Sequence, residues 1–364
     1  MQKVEVFRLP MSFPADMSSL KDAFDAGVID PASVQAIIAQ TEGDGFSRGY
    51  ALQAFERLLS ERLRIPQADI GKRIPLMMIG MTGGLMVPHM NVLTKVDVTE
   101  EKKHGKRLAL GVSMTRELLP EEYGTMAQVE AVAASVKEAV SIARIRDARD
   151  VHCVEIKCPM LTPDRIEDAT RRNKTLVTAN ISQSGAYSRG ASALGVALAL
   201  GEVPAEELSD GTICRNWNLY STVASASSGG EQLICKVVLL GNSEESASEL
   251  VGGHSVMKDA LDLDGAKEAF RNAGLDFECC PRPREMERVA AVFVNSGANG
   301  LATIRGKRHT MLSDYLWSFS GTIAKAVSNA VVGSFLGDTM FLNSAGYEHQ
   351  GPLGANLVAV IAST

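Results

Sequence analysis

No stretch of this 364-residue chain reaches the roughly eighteen consecutive apolar residues that a membrane span requires. The N-terminus, Met-Gln-Lys-Val-Glu-Val-Phe-Arg-Leu-Pro, also lacks the apolar core of a signal peptide, so the expectation is a soluble cytoplasmic protein with no membrane partner. Positive charge is scarce. The 37 Lys and Arg against 43 Asp and Glu leave a formal net charge of -6, which argues against broad attraction to phosphate backbones and hence against nucleic acid as a partner. Zinc-like spacing is missing too. The six cysteines at 153, 158, 214, 235, 279 and 280 form no C-x-x-C pair, and the six histidines add none of the usual ligand spacings. Free thiols in a reducing compartment fit best.

An apolar content of 45% with 22% charged residues describes a folded globular protein, and the length suggests two or three modules. Internal similarity points to three. Phe46-Ser-Arg-Gly-Tyr-Ala-Leu-Gln-Ala54 resembles Tyr187-Ser-Arg-Gly-Ala-Ser-Ala-Leu-Gly195 and, more faintly, Ile323-Ala-Lys-Ala-Val-Ser-Asn-Ala-Val331. Each reads as a helix with a cation near its start, namely Arg48, Arg189 and Lys325. Upstream of each lies a strand-like run, Ala36–Gly43, Cys153–Pro159 and Ala291–Gly297, in which Gln40, Lys157 and Asn295 align. Downstream comes a small-residue turn, Met78–Gly84, Ala226–Glu231 and Asn343–Glu348, aligning Ile79, Ser227 and Ser344. Short runs at Leu20–Phe24, Val136–Val140 and Met257–Leu261 read as further helices.

The expected units are residues 1–103, 104–245 and 246–364, joined near the charged run Glu100–Gly105 and near Gly241–Ser246. Strands are expected at Lys3–Leu9, Arg107–Thr115, Gln232–Leu240 and Leu357–Ser363, and helices at Met17–Asp25, Met126–Ile145, Ser192–Ala199 and Thr322–Gly333. This is an α/β chain built of α+β modules: three homologous repeats about a pseudo-threefold axis, with a central cavity suited to a ligand that is itself roughly threefold.

The middle repeat holds the chemistry-bearing residues. Five hydroxyls fall within Ser221–Ser228, just before Gly229 and Gly230, where backbone N–H groups can approach a ligand. A serine needs a base, and Lys157, near the end of its strand, is the candidate.

Taken together, Lys-Cys-Pro-Met-Leu-Thr, Tyr-Ser-Arg-Gly-Ala-Ser-Ala-Leu-Gly, Ala-Ser-Ala-Ser-Ser-Gly-Gly-Glu, Arg-His-Thr-Met-Leu-Ser-Asp and Glu-His-Gln-Gly-Pro resemble the cyanuric acid amidohydrolase and barbiturase family over essentially the whole chain. The resemblance implies a homo-oligomeric, tetrameric cytoplasmic enzyme that opens a small cyclic imide. It implies Lys157 as base and Ser227 as nucleophile, with the oxyanion held near Ser228 and Gly229 and no cofactor needed for the chemistry. Arg48, Ile79, Gly80, Arg189, Ser228, Lys325, Ser344 and Ala345 would line the substrate site. Magnesium or calcium would sit in a turn formed by Tyr347, Gln350, Gly351, Pro352 and Ala355, although Gly297 stands where the family supplies a carboxylate. His349 in that turn reads as a hydrogen-bonded residue, not a ligand.

The chain departs from the family pattern at several points. Gln40 and Asn295 replace lysines, Ile79 replaces a serine and Lys325 an arginine. Without two neighbouring lysines to lower its pKa by repulsion, Lys157 is expected to give weak turnover with an alkaline optimum. Barbiturate is the alternative substrate, and a non-catalytic ring-binding protein is the alternative of a different class.

Overall fold

The computed structural model describes residues 1–43, 45–80, 83–99, 104–297, 303–310 and 320–364. Residues 81–82 of the first small-residue turn, 100–103 of the charged run and 311–314 of the Arg-His-Thr-Met-Leu-Ser-Asp motif lie outside them. The first segment carries β1 (Gln2–Pro10), α1 (Ser18–Asp25), β2 (Val34–Gln40), α2 (Gly45–Leu63), α3 (Gln67–Ile70), β3 (Leu76–Ile79) and β4 (His89–Asp97). The second carries β5 (Arg107–Met114), α4 (Met126–Ala143), β6 (Val151–Pro159), α5 (Pro163–Arg171), α6 (Ile181–Leu200), β7 (Ala224–Gly229) and β8 (Lys236–Ser243). In the third are β9 (Leu250–Met257), α7 (Leu263–Asn272), α8 (Pro283–Met286), β10 (Val289–Ser296), a hairpin of β11 (Thr303–Ile304) and β12 (Lys307–Arg308), α9 (Ser320–Leu336), β13 (Leu342–Ala345) and β14 (Asn356–Ser363).

Each segment forms one four-stranded sheet, ordered β1-β4-β2-β3, β5-β8-β6-β7 and β9-β14-β10-β13. In each case the order is first, fourth, second, third strand, with the third strand parallel to the second. Even the irregularity repeats: register shifts fall between Val34 and Ala36, Val151 and Cys153, and Val289 and Ala291.

Strand alternation then builds two kinds of core. Ile37 and Ala39, Val154 and Ile156, and Val292 and Val294 face outward into three separate helix-covered clusters. Ala36 and Ile38, Cys153, and Ala291 and Phe293 face inward into one shared cluster, fed by all three sheets. One alternation further along that inner face stand Gln40, Lys157 and Asn295. All three are almost fully buried, and they form the polar end of a centre that is apolar beneath them except at Glu155 and Ser225.

Several local expectations are corrected. The small-residue turns begin as short strands, because β3, β7 and β13 pair along β2, β6 and β10, and the sheet outweighs their low strand propensity. Helix α6 begins at Ile181, eleven residues before the expected Ser192, capped by the Asn180 side chain on the Gln183 N–H. Its Ser- and Gly-rich first half persists because Gln128 of α4 donates to the Ser188 and Ser192 hydroxyls at 2.8 and 3.0 Å, while Gly195 lets Val132 approach closely. Met257 ends β9 instead of starting a helix, and α7 starts only after Asp262 caps the Gly265 N–H. Among the described residues no helix is long and apolar enough to cross a membrane.

Candidate active site

Lys157 and Ser227 are register partners on the parallel strands β6 and β7, so their side chains leave the sheet on the same face. The same relation joins Gln40 to Ile79 and Asn295 to Ser344. Alternation also separates the serines. Ser225 and Ser227 point inward with Lys157, whereas Ser228 points toward α6, where Arg189 Nη1 donates to its hydroxyl at 3.0 Å. Ser225 sits one step deeper, opposite Glu155. Ser227 is therefore the serine that shares the inner face with Lys157 at the mouth.

Lys157 is 2% exposed, and its Nζ donates to the carbonyls of Met78 at 3.3 Å and Ser228 at 3.5 Å. The amine thus rests between two repeats, held by weak bonds that a reacting group can replace. Burial lowers its pKa first; Arg48 adds to that lowering, and Glu231, with Oε1 3.7 Å from Nζ, opposes it. The neighbouring lysines expected from the repeat pattern are absent, but burial and Arg48 act in the same sense as they would.

Three cations, one from each repeat, surround this point. Arg48 packs against Gly80, where a Cβ would lie 3.1 Å from Nη1. Lys325 Nζ donates to the Gly80 carbonyl at 3.0 Å, and its pKa falls to about 8 through burial and then the charges of Arg48, Lys157 and Arg189. Arg189 is fixed by Glu348, with Nε to Oε2 at 3.2 Å and Nη2 to Oε1 at 2.5 Å. Burial disfavours its charge, yet the Glu348 carboxylate more than compensates and holds the guanidinium ionised.

The other aligned residues are structural here. Gln40 Oε1 accepts from the Asn343 N–H at 2.7 Å and its Nε2 donates to the Ile79 carbonyl at 3.1 Å, tying the first repeat to the open edge of β13. Gln350 Oε1 does the same for Ala226 at the edge of β7, at 2.7 Å. Strand alternation then places the Ser228 N–H on that same open edge and turns the Gly229 N–H toward β6, so of the two expected oxyanion donors the geometry favours Ser228. Ile79 and Ser344 are buried on the inner face, with Ala345 following at the end of β13.

The expected cation turn does not fit a divalent ion. A Cβ on Gly297 would run into the Ala355 carbonyl, so no carboxylate could stand there. Glu348 is committed to Arg189, and the Pro352 carbonyl accepts from the Ala355 N–H. Among the described residues no group of three or more His, Cys, Asp or Glu could hold a metal. Tyr347 packs against Trp217 with the rings tilted by 49°, and His349 accepts from the Cys214 N–H at 2.7 Å while its Nδ1 meets the Leu219 carbonyl at 2.6 Å. The loop is a brace between repeats.

Sequence reasoning missed Glu231, Lys236, Glu348 and Glu155. The alignment of Ala226–Glu231 with Asn343–Glu348 already set Glu231 opposite Glu348 and could have flagged both.

Comparison with known proteins places these features in context. Residues 5–363 match the family model described as amidohydrolase ring-opening protein. The cyanuric acid amidohydrolase of Enterobacter cloacae is 44% identical over 100% of both chains, and a cyclic amide hydrolase of Azorhizobium caulinodans is 41% identical over 99% of each. A solved structure described as "Cyanuric acid hydrolase: evolutionary innovation by structural concatenation" superposes with a TM-score of 0.94 at 39% identity, covering 100% of both chains. The cyanuric acid hydrolase structure from A. caulinodans gives 0.89 at 38%, covering 100% of this chain and 99% of that one.

Proposed function

The chain belongs to the ring-opening amidohydrolase family, and from that premise we propose that it hydrolyses cyanuric acid, with Ser227 as nucleophile and Lys157 as its base. The observation that carries this reading is the in-register, same-face placement of Lys157 and Ser227 at a mouth ringed by Arg48, Arg189 and Lys325.

The neutral Lys157 amine takes the Ser227 Oγ proton, and the alkoxide adds to a ring carbonyl carbon. The Ser228 N–H, on the open edge of β7, faces the oxygen that gains charge. As the ring C–N bond breaks, the Lys157 ammonium returns the proton to the departing nitrogen. Water, deprotonated by Lys157, then cleaves the acyl–serine ester and restores the hydroxyl. The carbamate so released loses carbon dioxide to leave biuret. Arg48, Arg189 and Lys325 donate toward the carbonyl oxygens around the ring, and three such donors from three repeats match a ring with three evenly spaced acceptors. No step passes through a metal. The cytoplasmic setting and tetrameric assembly implied by the family resemblance belong to this reading, and light scattering of the purified chain tests the assembly.

Incubation with cyanuric acid and with barbituric acid, following loss of ring absorbance, decides the function. Turnover of cyanuric acid that disappears in Ser227→Ala and Lys157→Met supports the reading. Preferential opening of barbiturate would make that the substrate, and binding without turnover, indifferent to Ser227→Ala, would make the chain a ring-binding protein.

A further inference from the structure

Glu231 lies four residues beyond Ser227 and points back at the base, its Oε1 3.7 Å from Lys157 Nζ. The carboxylate is seated on both sides. Gln232 Nε2 donates to it at 3.2 Å, and a Cβ on Gly229 would run into it, so the backbone there leaves room only for that group. On the opposite flank of β6, Lys236 of β8 is the register partner of Lys157, and both stems stand on the inner face. The equivalent neighbours in the other repeats are His89 and Leu357, so only the repeat with the base pairs it with a second lysine.

The repeats indicate what a carboxylate at this position does. In the third repeat the matching residue is Glu348, which clamps Arg189. In the first it is Gly83, and there Lys325 donates to the Gly80 carbonyl. Glu231 is the copy whose nearest cation is the base.

We propose that Glu231 is a positioning residue for Lys157: it holds the amine at the mouth beside Ser227 and stabilises the ammonium formed when the serine proton is taken, with Lys236 acting in the opposite sense. This rests on the reading of Lys157 as the base. The titratable groups around Lys157 are Glu231 from the loop after β7, Lys236 from β8, Arg48 from α2, Lys325 from α9 and Glu155, one inner-face step below on β6, with the Cys158 thiol adjacent in the chain. Burial raises the Glu155 carboxyl and keeps it protonated up to about pH 8, so Glu231 is the ionised carboxylate of the set, and it also feels Lys157 and Arg48: burial works against its ionisation, but those cations and its hydrogen bonds keep its pKa low. A carboxylate beside a base strengthens it as a proton acceptor, and its removal lowers the pH at which the amine becomes neutral while making that amine a poorer base.

The test uses the full-length chain with two readouts. One is kcat/KM for cyanuric acid against pH. The other is the pH dependence of Lys157 acetylation by acetic anhydride, read by peptide mass spectrometry, which needs no turnover. Glu231→Gln should move the acid limb and the labelling midpoint down by about one pH unit and reduce the plateau about ten-fold. Gly229→Ala, which displaces the carboxylate, should move both the same way, and Lys236→Met should move both up. A labelling midpoint unmoved by Glu231→Gln, or moved in the same direction by Glu231→Gln and Lys236→Met, overturns the proposal. Failure of the unaltered protein to open either ring would instead defeat the hydrolase reading, and the labelling midpoints would still decide whether Glu231 governs Lys157.

Discussion

Lys157 and Ser227 face one another across two parallel strands, on the one repeat of three where that register step unites an amine with a hydroxyl. The partners in the first repeat are Gln40 and Ile79, and in the third Asn295 and Ser344. One scaffold position thus serves chemistry once, in the proposed reading, and packing elsewhere, which gives each copy a distinct response to substitution.

Arg48 bears on Lys157 through its charge and, in the proposed reading, on the ring through its donors. Burial already lowers the Lys157 pKa below the ordinary lysine value of 10.5, and Arg48 lowers it further. The base acts when neutral, so kcat/KM rises with pH through that lowered pKa and then levels. Arg48→Gln removes a repelling cation and should displace the rising limb to higher pH, with activity at pH 7 falling about three- to ten-fold. A pH-rate profile of the variant checks the direction.

Glu348 orients the fork of Arg189, through which it would act on the ring in the proposed reading. Glu348→Gln should raise KM about ten-fold with a smaller effect on kcat, because the guanidinium remains but loses its fixed angle. Steady-state kinetics would show an equal fall in both parameters if Glu348 instead acted on the reacting atoms.

Gln40 occupies a family lysine position but closes the edge of β13, so restoring the lysine should not restore rate. Gln40→Lys loses the acceptor for the Asn343 N–H and should destabilise the chain by about 1–3 kcal/mol, without increasing turnover. Chemical denaturation alongside an activity assay measures both.

Glu155 is buried on the inner face, one step below Lys157, where the other repeats carry Ile38 and Phe293. Burial pushes its carboxyl up to about 8 from 4.5, with Ser225 and Cys153 opposing. The unfolded chain releases this proton near pH 4.5 and the folded chain only near 8. Stability from this group is therefore full below the lower value and is lost as pH rises through the higher one. Glu155→Gln should be close to neutral at pH 4.5 and increasingly stabilising toward pH 8, by on the order of 2–4 kcal/mol, as melting at several pH values would show.

Much of this was readable in the chain. The trio Gln40, Lys157 and Asn295 and the trio Ile79, Ser227 and Ser344 landed in matching places, because a register relation survives wherever the repeat spacing does. The serine-rich β7 was not readable as a strand, since its composition favours turns and only pairing with β6 overrides that. Likewise the start of α6 at Ile181 was not readable, because the Ser- and Gly-rich stretch before Ser192 is held helical by the Asn180 cap and by Gln128 of a neighbouring helix. Glu231, Glu348 and Lys236 act across strands or repeats: the repeat alignment sets Glu231 opposite Glu348, but nothing local in the chain names the cation that each meets.

The most direct test is rapid-quench peptide mass spectrometry of the protein mixed with cyanuric acid. The account predicts a transient acyl adduct on Ser227 that is absent in Ser227→Ala and does not build up in Lys157→Met. An adduct on Ser225 or Ser228, or undiminished turnover by Ser227→Ala, would contradict it.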